Sequence, residues 1–456
     1  MEEIMHIIIV GCGKVGRTLA EQLQEEETDL TLIDTDADNI EDLTEDIDAM
    51  GIVGNGASIN TLMEAGVDSA DILIAVTASD ELNLLCCLIA KKASACRTIA
   101  RVRNPDYLTE RGFIKEKLGI SMIVNPEMET ANEITRLFTI PSAISVDTFA
   151  RGRIELLETR LPIGSPIAGS PIKSALGRLS GKILICAIER GKDVIIPTGD
   201  TVLLEEDKIS FVTTHKDAGS FFKKAGIAKN HIKSIIIVGG GKITFYLAKK
   251  LCEYGFRVKI IEKNRKNCEH LNETLPGDVV VINGDGSDQR LLLEEGIADA
   301  DGFASITDID EENIMLSLYV ESNFRAKTVT KINKLNFEGI IDRLSLGSVI
   351  YPKYITSEMI LSYVRALENS TGSGVQTLYN IVSGKVQALE FAVRTESRAV
   401  GVPLCDLDIK KDILLCCISR NGKIIIPSGQ DTIQVGDSVV VVTTKRGLND
   451  LKDIVR

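Results

Sequence analysis

Three glycines near the start of the chain, in IMHIIIVGCGKVG, are spaced to receive an anion. Gly11-x-Gly13-x-x-Gly16 follows an apolar run that reads as a strand, and it opens a helical pattern, KVGRTLAEQL. In that setting Gly11 permits a tight turn, Gly13 lets the backbone approach a pyrophosphate, and Gly16 lets helix and strand pack closely. The helix N-terminus offers unpaired N–H groups and the positive end of its dipole to phosphates. Asp34 ends the next apolar run, DLTLID, 18 residues after Gly16. A carboxylate there accepts both ribose hydroxyls, which favours NAD or another adenosine ligand over NADP. The alternative is a nucleotide-free fold whose glycines serve only the turn. Lys14 and Arg17 are either solvated helix residues or holders of a third phosphate, which leaves ATP and ADP as competitors of NAD(H).

The elements that must position these residues recur. Gly54, Thr77, Asn83 and Thr214 reappear as Gly284, Thr307, Asn313 and Thr444, each 230 residues on. At that offset 50–83 and 280–313 share 12 identities in 34 positions, and 181–214 and 411–444 share 13 in 34. The chain is therefore a duplicated unit, each copy having two parts. The first part alternates strands (IMHIIIVG, DLTLID, AMGIVG, DILIAV, RTIARV) with helical patterns, which means βαβ units and a parallel sheet. The second part is short β-rich runs (GRIELLETRLP, KILICAIER, DVIIP, KISFVTT), which suggests a small α+β domain. Polar joints are expected near 139–146, 226–233 and 369–375. The second copy has Gly239, Gly240 and Gly241, then Lys242 and Ile243, but Thr244 where a third glycine would stand, with Glu262 ending its ribose strand. A threonine there is expected to crowd the helix–strand contact.

Composition narrows the function further. A net charge of −13, aromatic content of 4% and no Trp argue against a nucleic-acid partner. The acidic start shows no leader pattern and no apolar stretch is long enough to span a bilayer, so the chain is expected to be cytoplasmic. Ten scattered cysteines without C-x-x-C spacing fit buried thiols better than disulfides or zinc. None of His6, His215, His231 and His270 falls in a loop after a parallel strand, where a dehydrogenase would need an acid–base group. Asp80, Glu81, Asp310 and Glu311 open helices, where dipole complementation accounts for them. The chain is expected not to be an enzyme, an NAD-dependent dehydrogenase being the alternative.

The order Gly54-Asn55-Gly56, ILIAVTASDELN, IARVRNPDY, VNPE resembles the RCK (KTN) domain of bacterial potassium uptake regulators, and the β-rich part resembles the RCK C-terminal domain. The resemblance covers essentially the whole chain. It implies an α/β fold of two Rossmann-like doubly wound parallel sheets, each followed by a small α+β domain, with divisions at 1–139, 140–226, 232–368 and 369–456. It implies that Gly11 to Val15 cradle a pyrophosphate, Asp34 holds the adenosine ribose, Asn55 sits by the adenine edge, Thr77 and Ala78 line the cleft and Arg101 reaches the phosphates. The matching positions are Gly239 to Ile243, Glu262, Asp285, Thr307 and Lys331. Glu127 matches a carboxylate that binds a cation in some relatives, and the second copy has Lys353 there. The implied role is a nucleotide-sensing regulator, binding NAD(H) or ATP or ADP, peripheral on the inner face of the plasma membrane. It would gate a potassium channel or transporter subunit (TrkH or TrkG type), four chains making a ring.

Overall fold

The structure is a computed structural model, described here for residues 4–456 except 27, 150–152, 178–182, 228–231, 334–340, 342, 345, 369–374, 383–384, 447 and 449. The joints expected at 226–233 and 369–375 fall largely outside the described residues, as does His231.

The apolar runs of each first part form parallel sheets buried on both faces. β1 (His6–Val10), β2 (Asp29–Asp34), β3 (Met50–Val53), β4 (Ile72–Ala75), β5 (Arg97–Arg101) and β6 (Met122–Val124) align in the order β3-β2-β1-β4-β5-β6. Strand order reverses between β1 and β4, which opens a crevice at their carboxyl ends. The antiparallel sheet that follows contains β7 (Ser145–Phe149), β8 (Ile154–Arg160), β9 (Ile183–Arg190), β10 (Asp193–Ile195) and β11 (Lys208–Thr213), ordered β10-β9-β11-β8-β7. The second copy repeats both. Its parallel sheet has β12 (Ser234–Val238), β13 (Arg257–Glu262), β14 (Val280–Asn283), β15 (Gly302–Ser305), β16 (Lys327–Lys331) and β17 (Ser348–Ile350), ordered β14-β13-β12-β15-β16-β17. Its antiparallel sheet has β18 (Val375–Ile381), β19 (Val386–Ala392), β20 (Ile413–Arg420), β21 (Lys423–Ile425) and β22 (Ser438–Thr443), ordered β18-β19-β22-β20-β21. Each antiparallel sheet carries the same fork on a buried aspartate: Arg190 grips Asp207 at 2.8 and 2.7 Å, and Arg420 grips Asp437 at 2.8 and 2.8 Å. No described helix is long and apolar enough to cross a membrane.

The copies are locked together by exchanged helices. The helix Pro126–Thr139, which ends the first parallel unit, packs on Lys242–Glu253, the first helix of the second; Pro352–Glu368 returns to pack on Lys14–Gln24. Phe138 is buried against Gly302 of β15, where any Cβ would meet its ring at 3.0 Å. The segment expected as a polar joint at 139–146 is instead part of this core. Ile140 and Ala143 are buried, the Ala143 carbonyl accepts from Lys327 Nζ, and the Ile144 carbonyl accepts from Ser348 Oγ at 2.6 Å. The antiparallel sheets meet through Phe149, Cys186, Cys416 and their neighbours, with the Phe149 and Tyr379 rings 5.0 Å apart, edge on.

Where the four parts converge, carboxyls are gathered in a half-buried cluster. Burial, with the charges of Glu133, Glu158 and Glu358, pushes Asp147 up to about 8 against the pull of Arg136. Burial pushes Glu133 to about 7 against Arg136, and Glu358 to about 7 against Arg365, with Glu26 adding to the rise. Tyr379 also faces this group. A carboxyl whose pKa is higher folded than unfolded holds its proton better in the folded chain, so stability falls as pH rises through the folded value. The melting temperature should therefore fall as pH rises from about 4 towards about 8, the span between the ordinary and folded Asp147 values. Asp147→Asn should flatten that fall, as scanning calorimetry across the pH series will check.

Candidate functional site

The carboxyl ends of β1, β2, β4 and β5 frame a cavity of about 670 Å³. That size lies within the range of small-molecule and cofactor sites, about 300–1,000 Å³. Gly11 stands at its base with φ +100°, its N–H donating to Ile33 O at 2.8 Å, and a Cβ there would meet Thr77 N at 2.8 Å. A Cβ on Gly16 would lie 1.9 Å from Gly11 O, so only glycine admits this approach of helix to turn. Gly13 differs: a Cβ would meet nothing within 4 Å, so the backbone at the helix N-terminus faces open cleft. Of the sequence-predicted residues in this copy, Gly11, Gly13, Lys14, Val15, Asp34, Asn55, Thr77, Ala78 and Arg101 line the cavity. Cys12 and Gly16 instead shape the turn behind it. The Cys12 thiol is buried and pushed up to about 12 by burial and the Asp34 charge, which removes it as a nucleophile.

Asp34 is held ready. Its Oδ2 accepts from Cys12 N at 2.6 Å and its Oδ1 from Asp36 N at 3.0 Å, which fixes the carboxylate at the mouth of the turn with lone pairs to spare. Asn55 Oδ1 accepts from Ala57 N at 2.9 Å, turning the chain after β3. The rim at β4 depends on Asn83, which is fully buried. Its Oδ1 accepts from Thr77 N at 2.8 Å and Thr77 Oγ1 at 2.7 Å; its Nδ2 donates to Thr77 O at 3.2 Å and Arg101 O at 2.9 Å. Asn313 makes the same four bonds to Thr307 and Lys331. Arg101 donates to Thr77 O at 2.7 Å, and burial lowers its pKa, the neighbouring Arg103 adding to this. Asp80, expected to serve the helix dipole, has a further task. It is buried and its Oδ2 accepts from Arg103 N and Asn104 N at 2.9 and 2.8 Å, drawing the segment after β5 to the cleft, while Ser79 caps the helix.

The cavity has a wall that motif reading did not place there. Arg103, Pro126 and Glu127 line it from the first copy, and Asn333, Pro352 and Lys353 from the second. Arg103 Nε binds Glu127 Oε1 at 2.6 Å, and Glu127 Oε2 is buried with no partner among the described residues. Among those residues no group of three or more His, Cys, Asp or Glu could hold a metal ion.

The second turn is built to other terms. Thr244 is buried, and its hydroxyl donates to Gly239 O, so helix and turn stand far enough apart to admit the side chain. Glu262 repeats the Asp34 arrangement, accepting from Gly240 N and, at 2.6 Å, from Asn264 N. Gly241 faces open space as Gly13 does, at the start of the helix carrying Lys242 and Ile243. Asp285 is tied to Lys263 at 2.6 Å, which with Ser287 holds its carboxyl down at about 2. Lys331, expected at the phosphates, is buried and paired to Asp308 at 3.2 Å.

The chain matches the TrkA-N domain family at 7–126 and 235–352 and the TrkA-C domain family at 156–226 and 388–456. It is 32% identical to the Trk system potassium uptake protein TrkA of Halomonas elongata, over 98% of either chain. It is also 32% identical to the TrkA homolog of Archaeoglobus fulgidus, over 99% of this chain and 100% of that one. The GsuK RCK domain superposes with a TM-score of 0.62 at 18% identity, covering 97% of this chain and 93% of that one, a likeness of fold. The GsuK channel bound to NAD gives the same TM-score over 77% of its own length.

Asn83→Ala should strip the Asn83 partner from Thr77 N and from Arg101 O, while Thr77 O keeps its bond from Arg101. At about 1–3 kcal/mol for each stranded buried group, the loss should reach at least about 2 kcal/mol. It should be read as a lower urea midpoint and faster hydrogen exchange at the Thr77 amide.

Proposed function

The chain belongs to the TrkA family, with TrkA-N and TrkA-C domains in alternation, and from that premise we propose that it is a nucleotide-binding regulatory subunit of a Trk-type potassium uptake system. The observation that carries this reading is Asp34, held by the Cys12 N–H at the end of β2 beside an open glycine turn. A dinucleotide laid across the carboxyl ends of the strands would put its adenosine ribose on Asp34, its adenine edge near Asn55 and its pyrophosphate at the N-terminus of Lys14–Gln24. NAD(H) suits that arrangement, and ATP or ADP share its adenosine end. Solved structures of GsuK bound to NAD and to ADP support both ligand classes on this fold.

The reading has the cleft sense a ligand and catalyse nothing. The titratable side chains that line it are Lys14, Asp34, Arg101, Arg103, Glu127 and Lys353. Asp34 stands at the ribose end and Glu127 is paired with Arg103 through one oxygen, and no histidine, cysteine or tyrosine among the described residues lines the cleft as an acid–base group beside a nicotinamide. A ligand shifts a conformational equilibrium only by its difference in affinity for the two states. A wall drawn from both copies supplies that difference, because movement of one copy against the other remakes the site. The chain would work on the cytoplasmic face of the membrane, its copies at 1–139 with 140–226 and 232–368 with 369–456 contributing to a tetrameric ring under a TrkH- or TrkG-type subunit.

Calorimetry tests the site. NADH and ATP should each bind the full chain, and Asp34→Ala should weaken NADH by about 1.5–3 kcal/mol, the scale of a hydrogen bond to a charged group. Unchanged affinity would remove Asp34 from the site, and no binding by the unaltered chain would remove the nucleotide.

A further inference from the structure

We infer that Lys353, supplied by the second copy, is a phosphate-binding residue of the first cleft and favours ligands whose charge extends beyond a diphosphate. This rests on the nucleotide reading above. The placement is topological. Asp34 marks one end of the cleft at β2, the phosphate helix Lys14–Gln24 follows β1, and β4, β5 and β6 lead away from Asp34 in that order. The helix Pro352–Glu368 packs on Lys14–Gln24, on β6 and on Pro126–Thr139, so its first turn enters the cleft at the end opposite Asp34. Lys353, in that turn, lines the cavity. A nucleotide with its ribose on Asp34 and its first phosphates at the helix N-terminus therefore directs its terminal phosphate at Lys353.

The charge at Lys353 is available. Its ammonium lies 4.8 Å from the centre of the Tyr354 ring, and no carboxylate among the described residues pairs with it. Of the neighbouring cations, Arg103 is paired with Glu127 at 2.6 Å, while Arg101 is held by Thr77 O at 2.7 Å and keeps its Nε without a partner among the described residues. An ammonium on a flexible stem is a compact point charge with three donors, suited to a terminal phosphate. At the corresponding place in the first copy, after β6, stands Glu127, so the exchange of helices brings to this end of the first cleft a cation where its own copy has a carboxylate. A ligand gripped at one end by Asp34 and at the other by Lys353 joins the two copies directly.

The test is calorimetry of AMP, ADP and ATP with the full chain and with Lys353→Gln, Lys353→Met and Lys353→Arg. Lys353→Gln should weaken ATP about tenfold or more, as the loss of one charged hydrogen bond implies. AMP should change by less than about threefold, and Lys353→Arg should restore most of the ATP preference. Lys353→Met keeps the stem over Tyr354 and gives the same comparison if the Gln variant does not fold. Equal loss for AMP and ATP would make Lys353 a structural prop and overturn the assignment, as would an unchanged ATP affinity. If the unaltered chain binds none of the three nucleotides, the nucleotide reading fails with it; if it binds them and the variants do not alter the ATP-to-AMP ratio, the Lys353 assignment fails alone.

Discussion

The crossing of the two terminal Rossmann helices organises the molecule. Pro126–Thr139 lies on the first helix of the second copy and Pro352–Glu368 on the first helix of the first copy. Either helix leaves its own sheet to bury its apolar face on the other, as Phe138 does against Gly302. Close packing makes such an interface a set of discrete fits, since a core of native density does not deform smoothly. The phosphate helix of the first cleft is itself one of the surfaces so gripped. A ligand that moved that helix would bear on the second copy through Pro352–Glu368, and the joint of Arg365 with Glu26, at 2.6 Å, and with Glu358 reinforces the grip.

Duplication has not kept the two clefts equal. The first turn needs glycine at Gly16, whereas the second has a threonine hydroxyl bonded to the turn. Arg101 faces the first cavity, while its counterpart Lys331 is spent on Asp308. Asn55 has become Asp285, neutralised by Lys263. Each replacement in the second copy satisfies a polar group from within the chain, where the first copy leaves capacity facing the cleft. A site whose charges are already paired gains less from an anionic ligand, because the existing pair must be broken first. On the proposed reading the first cleft would be the more responsive of the two.

Much of this was legible from the sequence, because Rossmann chemistry is local. A strand, a glycine turn, a helix start and an acid at the next strand end lie within 34 residues, and Asp34, Gly11, Gly13, Thr77 and Arg101 all reach the cavity. The duplication also marked Asn83 and Asn313 as recurring. Their task, pinning two strand ends through four hydrogen bonds, needs partners on a different strand and has no periodic signal. Arg103 was within reach of inference, two residues past Arg101, but its direction is set by Asp80 drawing in the chain after β5. Lys353 and Asn333 were out of reach: their presence at the first cleft follows from helix exchange between copies, which spacing along one chain does not encode. The segment at 139–146 misled for the same reason: Ile140, Ala143 and Val146 are buried, and its carbonyls are held by Lys327 and Ser348, 184 and 204 residues further along the chain.

Potassium flux through the membrane subunit, reconstituted in vesicles with the full chain and nucleotide on the chain's side, tests the central claim most directly. Gly13 and Gly241 both have room for a side chain, so Gly13→Asp and Gly241→Asp should fold while placing a carboxylate against the ligand's phosphates. The account predicts that Gly13→Asp abolishes most of the nucleotide-dependent change in flux and that Gly241→Asp has a smaller effect. Loss of the response with Gly241→Asp, and its survival in Gly13→Asp, would contradict it.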